Sequence, residues 1–163
     1  IFLSDDLSTQ VGTFALLPQI VRSVNVPVIA AGGIADAKGV RSAIGLGAAG
    51  VQIGTAYLLC PEVTTSGVHR TALKSKSAGH TAITNLFSGR PARSIVNRII
   101  KELGPINPHT PSFPSASAAI TPLREKTESQ GNRDFSPLWA GQNTTGCREV
   151  PAASITRDLA ADL

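Results

Sequence analysis

Aromatic side chains are scarce, with five Phe, one Tyr and one Trp in 163 residues. Few rings are therefore available to stack on nucleotide bases. The basic residues Lys74, Lys76, Arg90, Arg93, Arg98 and Lys101 are spread out rather than blocked. A net charge of +4 then reads as an ordinary solvated surface, which argues against nucleic acid as a partner. Two cysteines, Cys60 and Cys147, are too few for a disulfide framework and are expected to be reduced thiols of a cytoplasmic protein. No apolar run has the length needed to cross a bilayer, and the opening residues from Ile1 carry no charged-then-apolar leader pattern. His69, His80 and His109 have no metal-ligand spacing with either cysteine, so no metal is expected. There is no Gly-x-Ser-x-Gly elbow, which leaves Ser88 a poor nucleophile.

What the chain does have is an alternation of helix-like and strand-like stretches. Val11, Phe14, Leu17, Val21 and Val24 recur at three- and four-residue steps, which predicts a helix over 7–24 capped by Ser8 or Thr9 and stopped at Asn25. Val26 to Ala31 is continuously apolar, as a parallel strand buried on both faces is. Asp36 can cap a second helix whose Val40, Ala43 and Ile44 face inward, with Gly47 at its left-handed end. Val51 to Ile53 form the next strand. Helix, strand, helix, strand with short connections argues for a parallel α/β sheet or barrel.

Beyond Cys60 the pattern weakens. Glu62 to Ser77 is weakly helical, Thr81 to Phe87 extended, and Ala92 to Leu103 helical with Ile95, Ile99 and Ile100 on one side, ended by Gly104 and Pro105. Five of the eleven prolines fall in 104–122, which predicts a long surface connection. Leu123 to Arg133 is polar, Phe135 to Trp139 is a small apolar anchor, and Ser154 to Leu163 a terminal helix.

The candidate site is at the two strand ends. Gly32-Gly33 follows the first strand directly, and glycine lets a backbone approach an anion closely and adopt positive φ. Gly54-Thr55 repeats the arrangement one β/α unit later, with a hydroxyl and a short helix from Ala56. Either turn alone reads as an ordinary β/α connection; two at adjacent strand ends favour a shared phosphate. Gln52 sits inside an apolar strand, where a buried carboxamide needs a partner: a cofactor ring, a phosphate or backbone. Gly45-Leu46-Gly47-Ala48-Ala49-Gly50 spells G-x-G-x-x-G, but a helix precedes it and a strand follows, the reverse of a dinucleotide site. Ser88-Gly89-Arg90 with Arg93 gives a turn with two cations, either lying over an anion or simply solvated. Asn143-Thr144-Thr145 is a glycosylation sequon by pattern alone.

Five segments carry a resemblance: Leu7-Ser8-Thr9-Gln10-Val11-Gly12-Thr13, Pro27 to Asp36, Gly50-Val51-Gln52-Ile53-Gly54-Thr55, Ser88-Gly89-Arg90-Pro91-Ala92-Arg93 and Trp139-Ala140-Gly141-Gln142. In this order they resemble the nitronate monooxygenases, FMN-dependent barrel enzymes that oxidise alkyl nitronates with O₂ to a carbonyl compound and nitrite. The resemblance implies an α/β fold, the C-terminal part of a (β/α)₈ barrel with a small, mostly helical appended region. It divides the chain into barrel units over 1–60, an appended region and connection over 61–122, and a returning segment over 123–163. It implies that Gly32, Gly33, Gln52, Ile53, Gly54 and Thr55 hold FMN, and that Ser88, Gly89, Arg90 and Gln142 approach the active site. The family's catalytic histidine belongs to a Gly-Gly-His-Arg-Gly motif that precedes these segments, and that motif does not occur among these residues. A complete barrel needs about 250 residues, so the chain is expected to be an incomplete part of the enzyme. Two rivals follow: an FMN-dependent NAD(P)H:quinone or enoyl-ACP reductase of the same barrel group, and a truncated product without catalysis.

Overall fold

The computed structural model describes residues 6–161 and Leu163. Residues 1–5 of the expected 1–60 segment, and residue 162 of the last one, lie outside the described residues. The chain forms two compact units, one of residues 6–64 with 143–163, the other of residues 65–142.

The first unit begins with a 3-10 turn at Leu7–Thr9, followed by helix α1 at Thr13–Ser23. The single helix expected over 7–24 is thus two elements. Asp6, rather than Ser8 or Thr9, supplies the cap: its carboxylate accepts from the Ser8 N–H at 2.9 Å and the Ser8 hydroxyl at 2.6 Å. Extended backbone at Gln10 and Gly12 separates the turn from the helix, because capping inside the first element leaves no helical run to join. Strand β1 (Ile29–Ala31), helix α2 (Ala37–Gly45) and strand β2 (Gly50–Gln52) complete a β-α-β unit. The strands pair in parallel, Ile29 opposite Gly50, Ala30 opposite Val51 and Ala31 opposite Gln52.

Helix α2 starts where its chemistry says it should. The Asp36 carboxylate accepts from the Gly39 N–H at 2.8 Å, satisfying one of the first-turn donors. Past its end, Gly47 has φ +96°, and a Cβ there would stand 2.9 Å from a Val21 methyl. That residue must be glycine for both reasons. Helix α6 (Ala152–Leu159) returns to this unit. Its Ala152 N–H donates to the Glu62 carboxylate at 2.9 Å, so an acid from the turn after Cys60 caps its positive end. Leu17, Ala30, Val40, Ala43, Ala56, Cys60, Ile155 and Leu159 are buried together as the core. Each large aliphatic there contributes about 1.5–3 kcal/mol by leaving water.

Two expectations fail here. The strand was expected to be buried on both faces, yet Ile29 is 56% exposed and Val26 67%. Ile44, expected to face inward, is 39% exposed. Within this unit the helices pack on one face of the β1–β2 pair, and Ile29, Ala31 and Gln52 on the other face are exposed. Among the described residues β1 has only β2 as a strand neighbour.

The second unit contains helix α3 (Gly67–Leu73), strands β3 (Thr81–Thr84) and β4 (Ala92–Ile95), and helices α4 (Arg98–Leu103) and α5 (Ser115–Glu128). The β strands pair antiparallel, with Thr81 opposite Ile95. The expected helix over Ala92–Leu103 is therefore a strand followed by a helix. Ile95, Ile99 and Ile100 are all buried, so their spacing reported burial correctly but joined two elements. Asn97 makes the break: buried between them, it donates to the Arg133 and Ser136 carbonyls at 3.0 and 2.9 Å. Gly104, at φ +76°, ends α4 as expected. The expected connection over 104–122 shortens, because α5 begins at Ser115 and carries Pro122 inside it. Phe135 and Trp139 pack on the Leu86, Phe87, Ile99 and Ile100 cluster, with Trp139 edge-on to Phe87 at 5.5 Å.

Candidate functional site

Ala31 and Gln52 are the last paired residues of β1 and β2. Gly32-Gly33 and Ile53-Gly54-Thr55 therefore leave the sheet side by side. Gly32 and Gly33 have φ +100° and +77°, turn conformations that favour glycine and can turn successive N–H groups toward an anion. A Cβ at Gly33 or at Gly54 would meet nothing within 4 Å, so at both turns the chain borders open space. The N–H groups of Gly33 and Ile34 have no acceptor among the described residues. Gly33 is exposed, so its N–H is open to an anion or to water, while the adjoining Ile34 is buried. The short helix expected from Ala56 is a 3-10 turn, Thr55–Leu59, with Gly54 at its start.

One returning segment touches both turns. The Asn143 Nδ2 donates to the Gly33 carbonyl at 3.4 Å. Gly146 lies so close to Ala35 and Ala56 that a Cβ would stand 2.5 Å from the Ala35 oxygen. The Cys147 thiol donates to the Thr55 carbonyl at 3.0 Å. Burial, with a smaller effect from Cys60, pushes the Cys147 thiol up to about 11, so it stays protonated. On the other side, the Thr13 hydroxyl faces the Ala31 and Gly32 carbonyls at 3.2 and 3.0 Å.

Gln52 departs from expectation. Its side chain is exposed, not buried, and shares with Ala31 the sheet face that the helices leave open. It therefore has no need of a protein partner, unlike the buried carboxamide expected there. Beside the β1 turn, a cavity of about 310 Å³ is lined by Ala35, Asp36, Thr145, Gly146, Arg148 and Asp158. Arg148 is paired with Asp158, and Asp36 adds a second carboxylate, so this cavity suits a phosphate poorly.

Ser88, Gly89, Arg90 and Gln142 belong to the second unit. The Ser88 hydroxyl donates to the Arg90 carbonyl at 3.0 Å and accepts from the Arg90 N–H at 3.3 Å, so it shapes its own turn. Gly89, at φ +83°, runs against the backbone of Pro111, Ser112 and Phe113, where a Cβ would collide. The expected turn with two cations holds only one of them. Arg93 lies in β4 and turns its guanidinium to Thr81 on the paired strand, 3.2 Å from the hydroxyl. Ala140 pairs through its N–H with the Arg93 carbonyl at 3.2 Å, leaving Gln142 exposed beyond it.

His69, His80 and His109 also belong to this unit. Burial pulls the His69 imidazole below its ordinary value, partly offset by the Trp139 carbonyl. Among the described residues no group of three His, Cys, Asp or Glu can hold a metal ion, and no helix is long and apolar enough to cross a membrane.

Sequence reasoning gave no role to Thr13 or Asn143. Thr13 follows a glycine at a helix start, where its hydroxyl would ordinarily cap. In the sequence Asn143 stands out only as part of a sequon. Its Oδ1 accepts from the Thr145 N–H at 3.1 Å and the Thr145 hydroxyl at 2.6 Å, and Asn-x-Thr is equally the signal for such a turn.

A family model described as nitronate monooxygenase matches residues 5–162. The nitronate monooxygenase of Pseudomonas aeruginosa is 42% identical over 94% of this chain and 44% of its own length. A probable nitronate monooxygenase of Bacillus subtilis is 40% identical over 91% of this chain and 43% of its own length. Among solved structures, a nitroalkane oxidase from Streptomyces ansochromogenes superposes with TM-score 0.89 at 37% identity, covering 98% of this chain and 46% of that one. FabK from Thermotoga maritima superposes at TM-score 0.70 and 30% identity, covering 93% of this chain and 48% of that one. The chain spans less than half the length of the curated relatives it matches. The fold is α/β, with the β-α-β unit forming part of a (β/α)₈ barrel.

Proposed function

The chain belongs to the nitronate monooxygenase family, and from that premise we propose that it supplies the phosphate-binding half of an FMN site in an enzyme oxidising alkyl nitronates with O₂. The observation that carries this reading is the pair of adjacent strand-end turns, with the Gly33 and Ile34 N–H groups lacking any acceptor among the described residues. A doubly charged phosphate is the acceptor that such a nest suits. Gly54, bare on its open side, permits equally close approach from the neighbouring turn.

Bound flavin would supply the electron chemistry that protein side chains lack. The chain's own residues would do the holding. Gly32 and Gly33 give the backbone its left-handed course, and the Gly33 and Ile34 amides neutralise phosphate charge. Ile53, Gly54 and Thr55 bound the anion from the second strand. Gln52, on the open sheet face beside Ala31, is positioned to offer its carboxamide to the ring or the nitronate. Ser88, Gly89, Arg90 and Gln142, from the other unit, are proposed to approach the active site, as the family resemblance implies. The proton step falls to the family's histidine motif, which none of His69, His80 and His109 matches.

The reading is tested with the full chain loaded with FMN and supplied with propane 2-nitronate. Oxygen uptake with stoichiometric nitrite release is expected from an enzyme containing this half-site and the histidine motif, and FMN retention without turnover from the 163 residues alone. Oxidation of NADH with a quinone, and none of nitronate, would instead identify the reductase alternative. A protein that retains no flavin would overturn the site itself.

A further inference from the structure

We propose that Thr13 and Asn143 are positioning residues that aim the amides of the Gly32–Ile34 turn into the phosphate site; this rests on the phosphate reading above. A trans peptide is planar, with its C=O and N–H pointing in opposite directions. Fixing a carbonyl therefore fixes the direction of the next residue's N–H. Thr13 Oγ1 shares its proton between the Ala31 and Gly32 carbonyls, at 3.2 and 3.0 Å, and so turns the Gly32 and Gly33 N–H groups the other way. Asn143 Nδ2 holds the Gly33 carbonyl at 3.4 Å, which sets the direction of the Ile34 N–H. Three successive peptide planes are held from outside the turn by two side chains.

The restraint is needed because the turn is built from glycine. Gly32 and Gly33 have wide conformational freedom, and a nest left loose would lose entropy on each binding event. Both clamps are themselves anchored. Thr13 is the first residue of α1. Its hydroxyl also lies 3.2 Å from where a Gly32 Cβ would stand, so a side chain at 32 would displace it. The Asn143 Oδ1 accepts two hydrogen bonds from Thr145, which leaves the Nδ2 pointed at Gly33. Neither side chain is required to touch the ligand. Each acts through the backbone it holds.

The test compares equilibrium binding of FMN and of riboflavin, which lacks the phosphate, to the full chain and its variants. The unsubstituted chain should prefer FMN. Thr13→Val and Asn143→Ala should each lower that preference about tenfold, the worth of one lost hydrogen bond, while riboflavin affinity stays within about twofold of the starting value. Thr13→Ser, which keeps the hydroxyl, should retain the preference. Full FMN preference in both Thr13→Val and Asn143→Ala would overturn the positioning role and leave the phosphate site intact. Equal loss of both flavins would also overturn it, because the side chains would then support the fold rather than aim the turn. No FMN preference in the unsubstituted chain would instead remove the phosphate reading beneath it.

Discussion

Cys147 sits where a reactive thiol would be conspicuous, its sulfur 3.0 Å from the Thr55 carbonyl. Its surroundings make it inert. Burial raises its pKa from 9.0 to about 11, so at neutral pH the thiolate that does thiol chemistry is scarce. Alkylation by iodoacetamide at pH 8, followed at the Cys147 peptide by mass spectrometry, should run about 100-fold slower than for a free thiol, because the raised pKa leaves correspondingly less thiolate. The sign for stability follows from the same shift. The folded state favours the protonated form, so this contribution is intact below pH 9 and is lost as pH rises through about 11. Rapid labelling at pH 8 would mean that the segment 143–147 is not seated on the Thr55 turn.

Among the elements, α2 shows what local chemistry can specify. Asp36, the Val40 and Ala43 stripe and Gly47 lie within a dozen residues, and each acts on its immediate neighbours. The helix was therefore legible in the sequence, as were the strand-end glycines, the Gly104 stop and the terminal helix. Asp36→Ala should remove the 2.8 Å bond to the Gly39 N–H and cost about 1 kcal/mol. Thermal unfolding would register that as a fall of about 2–4 °C in Tm; an unchanged Tm would show that the cap carries no stability. The elements that were misread depend on distant partners. β4 is a strand because β3 and Leu138–Ala140 pair with it, and the Ile95, Ile99, Ile100 spacing contains no sign of that. α5 buries only Ala116 fully and contains Pro122, so its apolar stripe was too faint to outweigh its composition. Gln52 looked buried because strand residues on both sides are apolar, yet alternation puts it on the open face with Ala31.

At the scale of the molecule, the candidate site was half legible. The donors could be read from glycine placement. The side chains that hold them could not, because Thr13 and Asn143 lie 19 and 110 positions from the backbone they grip. The open face of the β1–β2 pair, with Ile29 and Gln52 on it, is likewise a property of assembly and not of any local pattern. Family membership and the shared fold set the frame, while the chain spans less than half the length of its curated relatives. Within that frame the claim that matters is that two neighbouring turns grip one phosphate. Amide NMR of the ¹⁵N-labelled chain, titrated with FMN and separately with riboflavin, tests it most directly. The Gly33, Ile34, Gly54 and Thr55 signals should shift together and saturate at one FMN concentration, and respond far less to riboflavin. Signals from only one turn moving, or the same response to both flavins, would contradict a shared phosphate.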